Sequence, residues 1–538
     1  MSPSIYYINP LADFPTYFNS ENYHARGLRQ ATQIADLAIP TLAALTPNDF
    51  RIQLCDQNIS PIDFDLDVDY VGITGKITQY HHMVATAQEF RKRGKTVIIG
   101  GPYASLSPEV LRPHCDILIK GEIEDIAPEI FADLRAKTWK SEYQGNKPDM
   151  SRSPVPRWDL YPNDRAAMGT LQTSRGCPFE CEFCDVIQYL GRQQRHKNPP
   201  QVVKELDMLY QHGYRSIFLA DDNFTVYRSR AKELLCAIRD WNRAQTRGKA
   251  SFLTQVSIDA ARDDELLTLC AEAGVTTVFI GIETPNEESL REAKKRQNLR
   301  IDLTAEISRF LAHGIYVVGG MIVGFDADGP DIFRRQYDFA MQTGIPIYSL
   351  GALAAPAATP LYARLAEAGR LKTGGSEVAA VPWTTNIVHP TMKDEELIGG
   401  LRWLANNLYS PQSFGDRLLL FIEKLGPRRD PKWQTAGGTD AVRSVDRDSM
   451  DIIYKLKSLG PAEAAMWTRV MTACARKPEA LPFVLISCLQ YMQIRYMYDL
   501  GQFWDAQLSA APAPAARPAT DLVTLGVRKR DVVPGGAA

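Results

Sequence analysis

The 538-residue chain reads as an α/β protein: a doubly wound parallel sheet first, a βα barrel-type sheet second, and a mostly helical region last. Three observations predict this. Short apolar, β-branched runs alternate with helical runs through residues 1–135 and again through 168–355, the pattern of successive βαβ units. Glycines or polar residues close these runs, at the carboxyl ends of the predicted strands, where parallel sheets and barrels carry their sites. Beyond residue 356, leucines recur at spacings of three and four, the period of a helix face. The length accommodates two or three domains.

Composition narrows the partners. With 45% hydrophobic and 23% charged residues the chain has the balance of an ordinary globular protein. Lys and Arg number 61 against 63 Asp and Glu, so no surface for a polyanion is announced and nucleic acid is not expected. The short basic groups Arg91-Lys-Arg93 and Arg528-Lys-Arg530 read as solvated faces. The first residues lack the basic and long apolar regions of a signal peptide, which predicts a cytoplasmic protein. Residues 341–363 carry no charge, but Gly344, Pro346, Gly351, Pro356 and Pro360 would break a spanning helix, so the stretch reads as a strand plus loop and no transmembrane segment is expected.

In order, Ile5–Ile8 reads as a strand, Ile39–Leu45 as part of a helix, Arg51–Cys55 and Tyr70–Thr74 as strands, and Met83–Lys92 as helix. Strands follow at Thr96–Ile99, ending in Gly100 and Gly101, and at Asp116–Ile119, ending in Lys120, Gly121 and Glu122. Gly75, Gly100, Gly101 and Gly121 thus fall at strand ends, where a backbone without Cβ lets a ligand approach. Residues 136–167, with Pro148, Pro154, Pro156 and Pro162 among polar residues, read as a linker. Alternation resumes at Met168. Strand Ser216–Ala220 closes on Asp221 and Asp222, Phe252–Val256 on Ser257 and Asp259, Val278–Ile282 on Glu283, and Val317–Val323 on Gly324 and Asp326. Each carboxylate alone could be a helix cap. Four strand ends in register instead describe one barrel mouth. From 356 to 508, Leu397, Leu401, Leu404 and Leu408, and Leu418, Phe421 and Leu425, form core-facing stripes. The Ala/Pro-rich 509–538 reads as a disordered tail.

The most specific signal is Cys177-Pro-Phe-Glu-Cys181-Glu-Phe183-Cys184, three cysteines within eight residues. In a reducing compartment such spacing points to a metal rather than to disulfides. Iron-sulfur clusters commonly take four cysteines, so three local thiolates leave one position for a distant or exogenous ligand. The alternative is a structural Cys3His zinc site closed by His196, twelve residues after Cys184. Cys55, Cys115, Cys236, Cys270, Cys474 and Cys488 stand singly among apolar neighbours and read as small buried thiols.

The Cys-x3-Cys-x2-Cys spacing with Phe183 before the third cysteine resembles the signature of radical S-adenosylmethionine (SAM) enzymes. The resemblance implies that Cys177, Cys181 and Cys184 hold a 4Fe-4S cluster, whose fourth iron SAM chelates before reductive cleavage to a 5′-deoxyadenosyl radical. It implies a partial (β/α)6 barrel over 168–355, with Asp221 and Asp222 near the SAM amino group, Glu283 at the ribose, and Phe183 and the Gly320-x-Ile322-x-Gly324 element along the adenine. Residues 1–135 resemble the Rossmann-like cobalamin-binding domain that precedes this barrel in one subfamily, through Val71-Gly-Ile-Thr-Gly75, Ile98-Ile-Gly-Gly-Pro-Tyr103 and Asp116-Ile-Leu-Ile-Lys-Gly-Glu122. The resemblance places Gly75, Lys76, Gly100, Gly101 and Gly121 at the cobalamin. The Asp-x-His-x-x-Gly loop that gives cobalt a histidine in many cobalamin proteins is absent, so the Lys76-Ile77-Thr78 loop is expected beneath the cobalt.

Within that family the chain resembles in particular the group containing the hopanoid C-2 methylases, through Pro40–Pro47, Gln172–Asp185, Ala220–Phe224, Gly281–Leu290 and Thr359–Tyr362. This implies methylation of an unactivated carbon in a hydrophobic small molecule, hopanoid-like or tetrapyrrole-like, with an external electron donor such as flavodoxin or ferredoxin. A lipid substrate would bring the enzyme to the membrane periphery. Two other classes share the features: a radical SAM oxidase, cyclase or ring-rearranging enzyme without methyl transfer, and a non-enzymatic cobalamin or iron-sulfur redox protein. The catalytic residues, if the chain supplies any, are not readable from the sequence.

Overall fold

The computed structural model describes residues 2–372, 381–427 and 443–510. Its strands are β1 (Ser4–Asn9), β2 (Thr32–Ile34), β3 (Arg51–Asp56), β4 (Tyr70–Thr74), β5 (Thr96–Gly100), β6 (Ile117–Lys120) and β7 (Glu142–Gln144) in the first part of the chain. The second part adds β8 (Ala166–Leu171), β9 (Ser174–Arg175), β10 (Arg195–His196), β11 (Ser216–Leu219), β12 (Ser251–Val256), β13 (Val275–Glu283), β14 (Tyr316–Val323) and β15 (Tyr348–Ala352). They form a parallel sheet of order β3-β1-β4-β5-β6-β7, a second parallel sheet of order β15-β14-β13-β12-β11-β8-β2, and an antiparallel β9–β10 pair. The α/β architecture and helical C-terminal region are those the sequence predicts.

Strands of a parallel sheet are covered on both faces, which is why they read as unbroken apolar runs. In β1, Ile5, Tyr6, Tyr7 and Ile8 are all buried. Tyr6 and Ile8 meet Met83, Ala87 and Phe90 of the helix Tyr80–Lys92, while Ile5 and Tyr7 belong to a core continuous with the second sheet and the C-terminal helices. That shared core joins the parts of the chain into one body.

Besides the two-residue pair β9–β10, two three-residue strands escape the periodicity argument. β2, only Thr32-Gln-Ile34, pairs with β8, so the N-terminal region lends an edge strand to the second sheet. β7, from the stretch read as linker, pairs with β6. Three residues are too few to show an alternation. The tail expected from Ser509 begins in a 3-10 turn, Ala506–Ala510, and its remainder lies outside the described residues.

Five C-terminal helices, Asp394–Leu408, Pro411–Lys424, Ser444–Tyr454, Pro461–Arg476 and Leu481–Leu500, cover the second sheet. The leucine stripes face inward as read: Leu397, Leu401, Leu404, Leu408, Leu418, Phe421 and Leu425 are buried. Arg417, fully buried, donates to the carbonyls of Ile345, Pro346 and Leu408 at 3.2, 3.0 and 2.7 Å, pinning its helix to the approach to β15. Among the described residues, no helix is long and apolar enough to cross a membrane.

The seam between the sheets holds two carboxylates. Asp36 follows β2 and Asp56 ends β3. The Tyr161 hydroxyl accepts the Asp36 N–H at 3.1 Å and donates to Asp56 at 2.5 Å. Burial, and then the nearby Asp56, push the Asp36 carboxyl up to about 6, against the opposing pull of the Ile39 N–H and Lys76. A carboxyl raised in the folded state keeps its proton there while the unfolded chain loses it. Its contribution to stability is therefore whole below the ordinary value of 3.8 and is lost as pH rises through about 6. Relative to Asp36→Asn, the wild type should lose roughly 3 kcal/mol of unfolding free energy across that window, measured by urea denaturation. A difference independent of pH would refute the assignment.

Candidate active site at the cysteine loop

The cysteine loop leaves β9 through Gly176, a position closed to other residues. Its φ is +96°, and a Cβ there would lie 2.7 Å from the Gln193 carbonyl and 2.9 Å from that of Gly191. Cys177 N–H donates to Gly191 O at 3.2 Å and Cys184 N–H to Cys181 O at 3.1 Å, and the short helix Val186–Tyr189 leads back towards β10. All three thiols are free, with Cys181 buried and the others partly so. Burial pushes the Cys184 thiol up to about 12 and raises that of Cys177, and Cys181 adds to both shifts. Lys295 supplies the opposing positive charge at Cys177 and Cys184. Among the described residues, no three His, Cys, Asp or Glu side chains already converge as a metal site. His196 lies opposite Ser174 in the β9–β10 pair with its ring edge-on to Tyr227. The donor set suits an iron-sulfur cluster: three thiols on one loop, with a buried cation and an amide N–H turned towards them.

The loop is held from three sides. Asp221 accepts from the N–H groups of Thr173 and Ser174 at 2.6 and 3.0 Å and from both hydroxyls, Ser174 Oγ at 2.8 Å. Its carboxylate is thus spent on the leg that leads into Cys177. The neighbouring Asp222 accepts the Gly176 N–H at 3.0 Å, and burial followed by Asp221 pushes its carboxyl up to about 6. From the first sheet, Glu122 and Glu124 grip Arg175, each at 2.6 Å, and Glu122 also pairs with Arg195 at 2.5 Å. From the far side Arg364, on the helix Pro360–Glu367, takes the buried Glu182 through its Nε and Nη2 atoms at 3.0 to 3.1 Å. The Leu361 N–H adds a bond to Glu182 O at 3.0 Å.

The other barrel positions gather beside the loop. Phe183 and Ile322 pack into one apolar cluster with Phe325, whose ring stands 6.2 Å from that of Phe183, edge-on. Gly324, at φ +97°, turns the chain out of β14, and Asp328 fixes the turn by accepting from the N–H groups of Gly324 and Phe325 at 3.0 and 3.1 Å. Gly320 leaves room for the Phe279 ring, 2.9 Å from a Cβ built there. Glu283 sits at φ +63° beyond a register shift in β13 and pairs with Lys295 at 2.6 Å.

The carboxyl end of the first sheet lies against the same loop. The helix Pro102–Leu106, which follows Gly101, touches the helix Val186–Tyr189 of the cysteine loop. Lys76 is exposed, and its charge reaches both Asp36 and Asp185, the residue after Cys184. The glycines here answer to internal contacts as well as to room for a ligand. A Cβ on Gly75 would lie 2.5 Å from Met83 Sδ, one on Gly101 (φ +93°) 2.5 Å from Thr74 Oγ1, and one on Gly121 (φ +75°) 2.6 Å from Gly145 O. Gly100 would meet only ordinary contacts.

Sequence reasoning missed Lys295, Gln297, Glu124, Arg175, Glu182, Arg364 and Asp328. Lys295 and Gln297 lie in the run Lys294-Lys-Arg-Gln-Asn298, which looks like a solvated face. The rule that selects strand ends could have found Glu124, four residues past β6.

A parallel barrel-type sheet with a Cys-x3-Cys-x2-Cys loop at its mouth defines the radical SAM class. The chain belongs to the radical SAM superfamily, in the branch that includes the hopanoid C-2 methylase. The Radical SAM superfamily matches residues 171–339, and a domain of unknown function (DUF4070) matches 359–500. An uncharacterized methyltransferase, sll1242, of Synechocystis sp. is 35% identical over 428 residues, 79% of each chain. The hopanoid C-2 methylase of Rhodopseudomonas palustris is 30% identical over 373 residues, 67% of this chain and 70% of that one. The radical SAM methyltransferase TsrM of Kitasatospora setae, solved with cobalamin and a 4Fe-4S cluster, shares the fold at a TM-score of 0.56 and 17% identity, over 74% of this chain and 84% of that one.

The charge cluster around Arg175 yields a test. Removing one partner of a buried ion pair strands the other's charge, at a cost of roughly 3–5 kcal/mol. Arg175→Met should destabilise the apoprotein by about that much and speed tryptic cleavage within 176–195. Adding Glu124→Gln should recover part of the loss, and additive effects of the two changes would show that the pair is not coupled.

Proposed function

We propose that this protein is a cobalamin-dependent radical SAM methyltransferase that methylates an unactivated carbon of a hydrophobic small molecule, hopanoid-like or tetrapyrrole-like. One observation carries the reading: the three-thiol loop and the carboxyl end of a separate parallel sheet lie side by side, with the helix Pro102–Leu106 against the helix Val186–Tyr189 and the charge of Lys76 acting on Asp185. Two cofactors that must act on the same carbon require such a juxtaposition. The name of the hopanoid C-2 methylase relative supports the class of substrate.

In this reading Cys177, Cys181 and Cys184 would hold a 4Fe-4S cluster, and Gly75, Lys76, Gly100, Gly101 and Gly121 would border a cobalamin. When bound, the cluster and SAM supply a hydrogen-abstracting 5′-deoxyadenosyl radical, and cobalamin supplies the methyl group. The chain's own residues bind and orient. Phe183 and Ile322 give an apolar wall for the adenine. Glu283, kept in place by Lys295, offers an acceptor for the ribose hydroxyls. Asp222 has one N–H partner and keeps acceptor capacity for the SAM ammonium, whereas Asp221 holds the loop. The protein would receive its electron from an external flavodoxin or ferredoxin.

Anaerobic reconstitution with methyl-labelled SAM, a strong reductant and candidate lipids or tetrapyrroles tests the proposal. The expected products are 5′-deoxyadenosine and a labelled substrate, with corrinoid extractable from the protein. Label absent from every product while 5′-deoxyadenosine accumulates would favour a radical oxidase, cyclase or rearrangement, and absence of 5′-deoxyadenosine would favour a redox carrier. Cys181→Ala should abolish both the cluster absorbance and SAM cleavage. Survival of both would remove Cys181 from the ligand set.

A further inference from the structure

The segment behind Cys181 is built as a rigid wall. Lys294 and Arg300 both adopt left-handed backbone, φ +54° and +56°, a conformation uncommon for L side chains, and Lys294 uses it to close the helix Glu287–Glu292. Between them Asn298 donates its amide to Gly281 O and Ile282 O, each at 3.0 Å, and Lys295 N–H bonds Leu290 O at 2.9 Å. The cysteine loop is tied to this wall by Glu182 N–H, which donates to Ala293 O at 3.0 Å. Held there, Gln297 places its Nε2 3.5 Å from Cys181 Sγ. The Gln297 Oε1 is buried and has no hydrogen-bond partner. Against a thiolate ligand the opposite amide orientation would set the carbonyl oxygen on the sulfur, two acceptors face to face, so the N–H is the group presented to Cys181 in the loaded loop.

We infer that Gln297 is a positioning residue that donates an N–H···S hydrogen bond to the Cys181 thiolate and thereby raises the reduction potential of the cluster this loop holds. The inference rests on the reading that Cys177, Cys181 and Cys184 carry that cluster. The physics is one-sided. Reduction adds negative charge that spreads over the sulfurs, and a fixed donor stabilises the more negative state. Lys295, in ion pair with Glu283, brings positive charge to the same place, so the two side chains of one wall act in the same direction. What Gln297 sets is how strong a donor the enzyme needs.

The test is a redox titration of the reconstituted enzyme, followed by electron paramagnetic resonance, on wild type, Gln297→Leu and Gln297→Met. Both variants keep the bulk and lose the donor. The expected result is a midpoint potential shifted to more negative values in each, with iron and sulfide content unchanged. An unshifted midpoint in a fully loaded variant overturns the inference and leaves the cluster assignment standing, whereas wild type without iron defeats the cluster assignment itself. Should neither variant load, electron-nuclear double resonance on reduced wild type with 15N-labelled glutamine side-chain amides decides. A coupling to amide nitrogen supports the bond, and its absence overturns it.

Discussion

A loop that must bring three thiols to one metal cluster cannot hold its own shape. It has no ladder of backbone hydrogen bonds, and gathering negative charge in a partly buried place opposes its closure. The surrounding structure supplies the missing constraint as buried and partly buried charge: Asp221 and Asp222 on the entering leg, Glu122 and Glu124 through Arg175, Arg364 on Glu182, and Lys295 beside the sulfurs. These groups come from the first sheet, the barrel strands and the helix after the barrel. The loop's geometry is therefore a property of the whole assembly, and none of the parts could fix it alone.

That dependence explains why the parts share a core. β2 leaves the N-terminal region to pair with β8, and Tyr17, in the same region, bonds the Tyr498 hydroxyl of the last long helix at 2.8 Å. If the first sheet rocked freely against the barrel, the Glu122 and Glu124 contacts to Arg175 would open with each excursion and release the residue two before Cys177. A shared hydrophobic core makes such motion costly.

Local features were legible in the sequence, and distant pairings were not. Apolar runs announced the longer strands because both faces of a parallel sheet are buried, and the leucine spacing announced the helices that turn Leu401 and Leu418 inward. The cysteine spacing located the loop. By contrast, Thr32–Ile34 and Glu142–Gln144 become strands only because an edge is available to pair with. Arg175 meets residues 51 and 53 positions earlier, and Arg364 meets one 182 positions earlier, separations over which no periodicity speaks. The glycines show a subtler limit. A strand-end glycine suggests room for a ligand, yet at Gly101 and Gly121 the nearest atoms a Cβ would strike belong to the protein itself.

The two adjacent aspartates show how position divides labour between identical side chains. Asp221 and Asp222 follow the same strand, so strand-end logic alone gives them one role. The pleat turns them apart. Asp221 points into the leg of the cysteine loop, where four donors neutralise the cost of burying a carboxylate, and any further partner would have to displace one of them. Asp222, with a single N–H and a like charge beside it, is the less satisfied of the pair and gains more from a cation arriving beside it. An ammonium group arriving there would lower the energy of Asp222 first, and Asp221, already satisfied by the loop, would gain less.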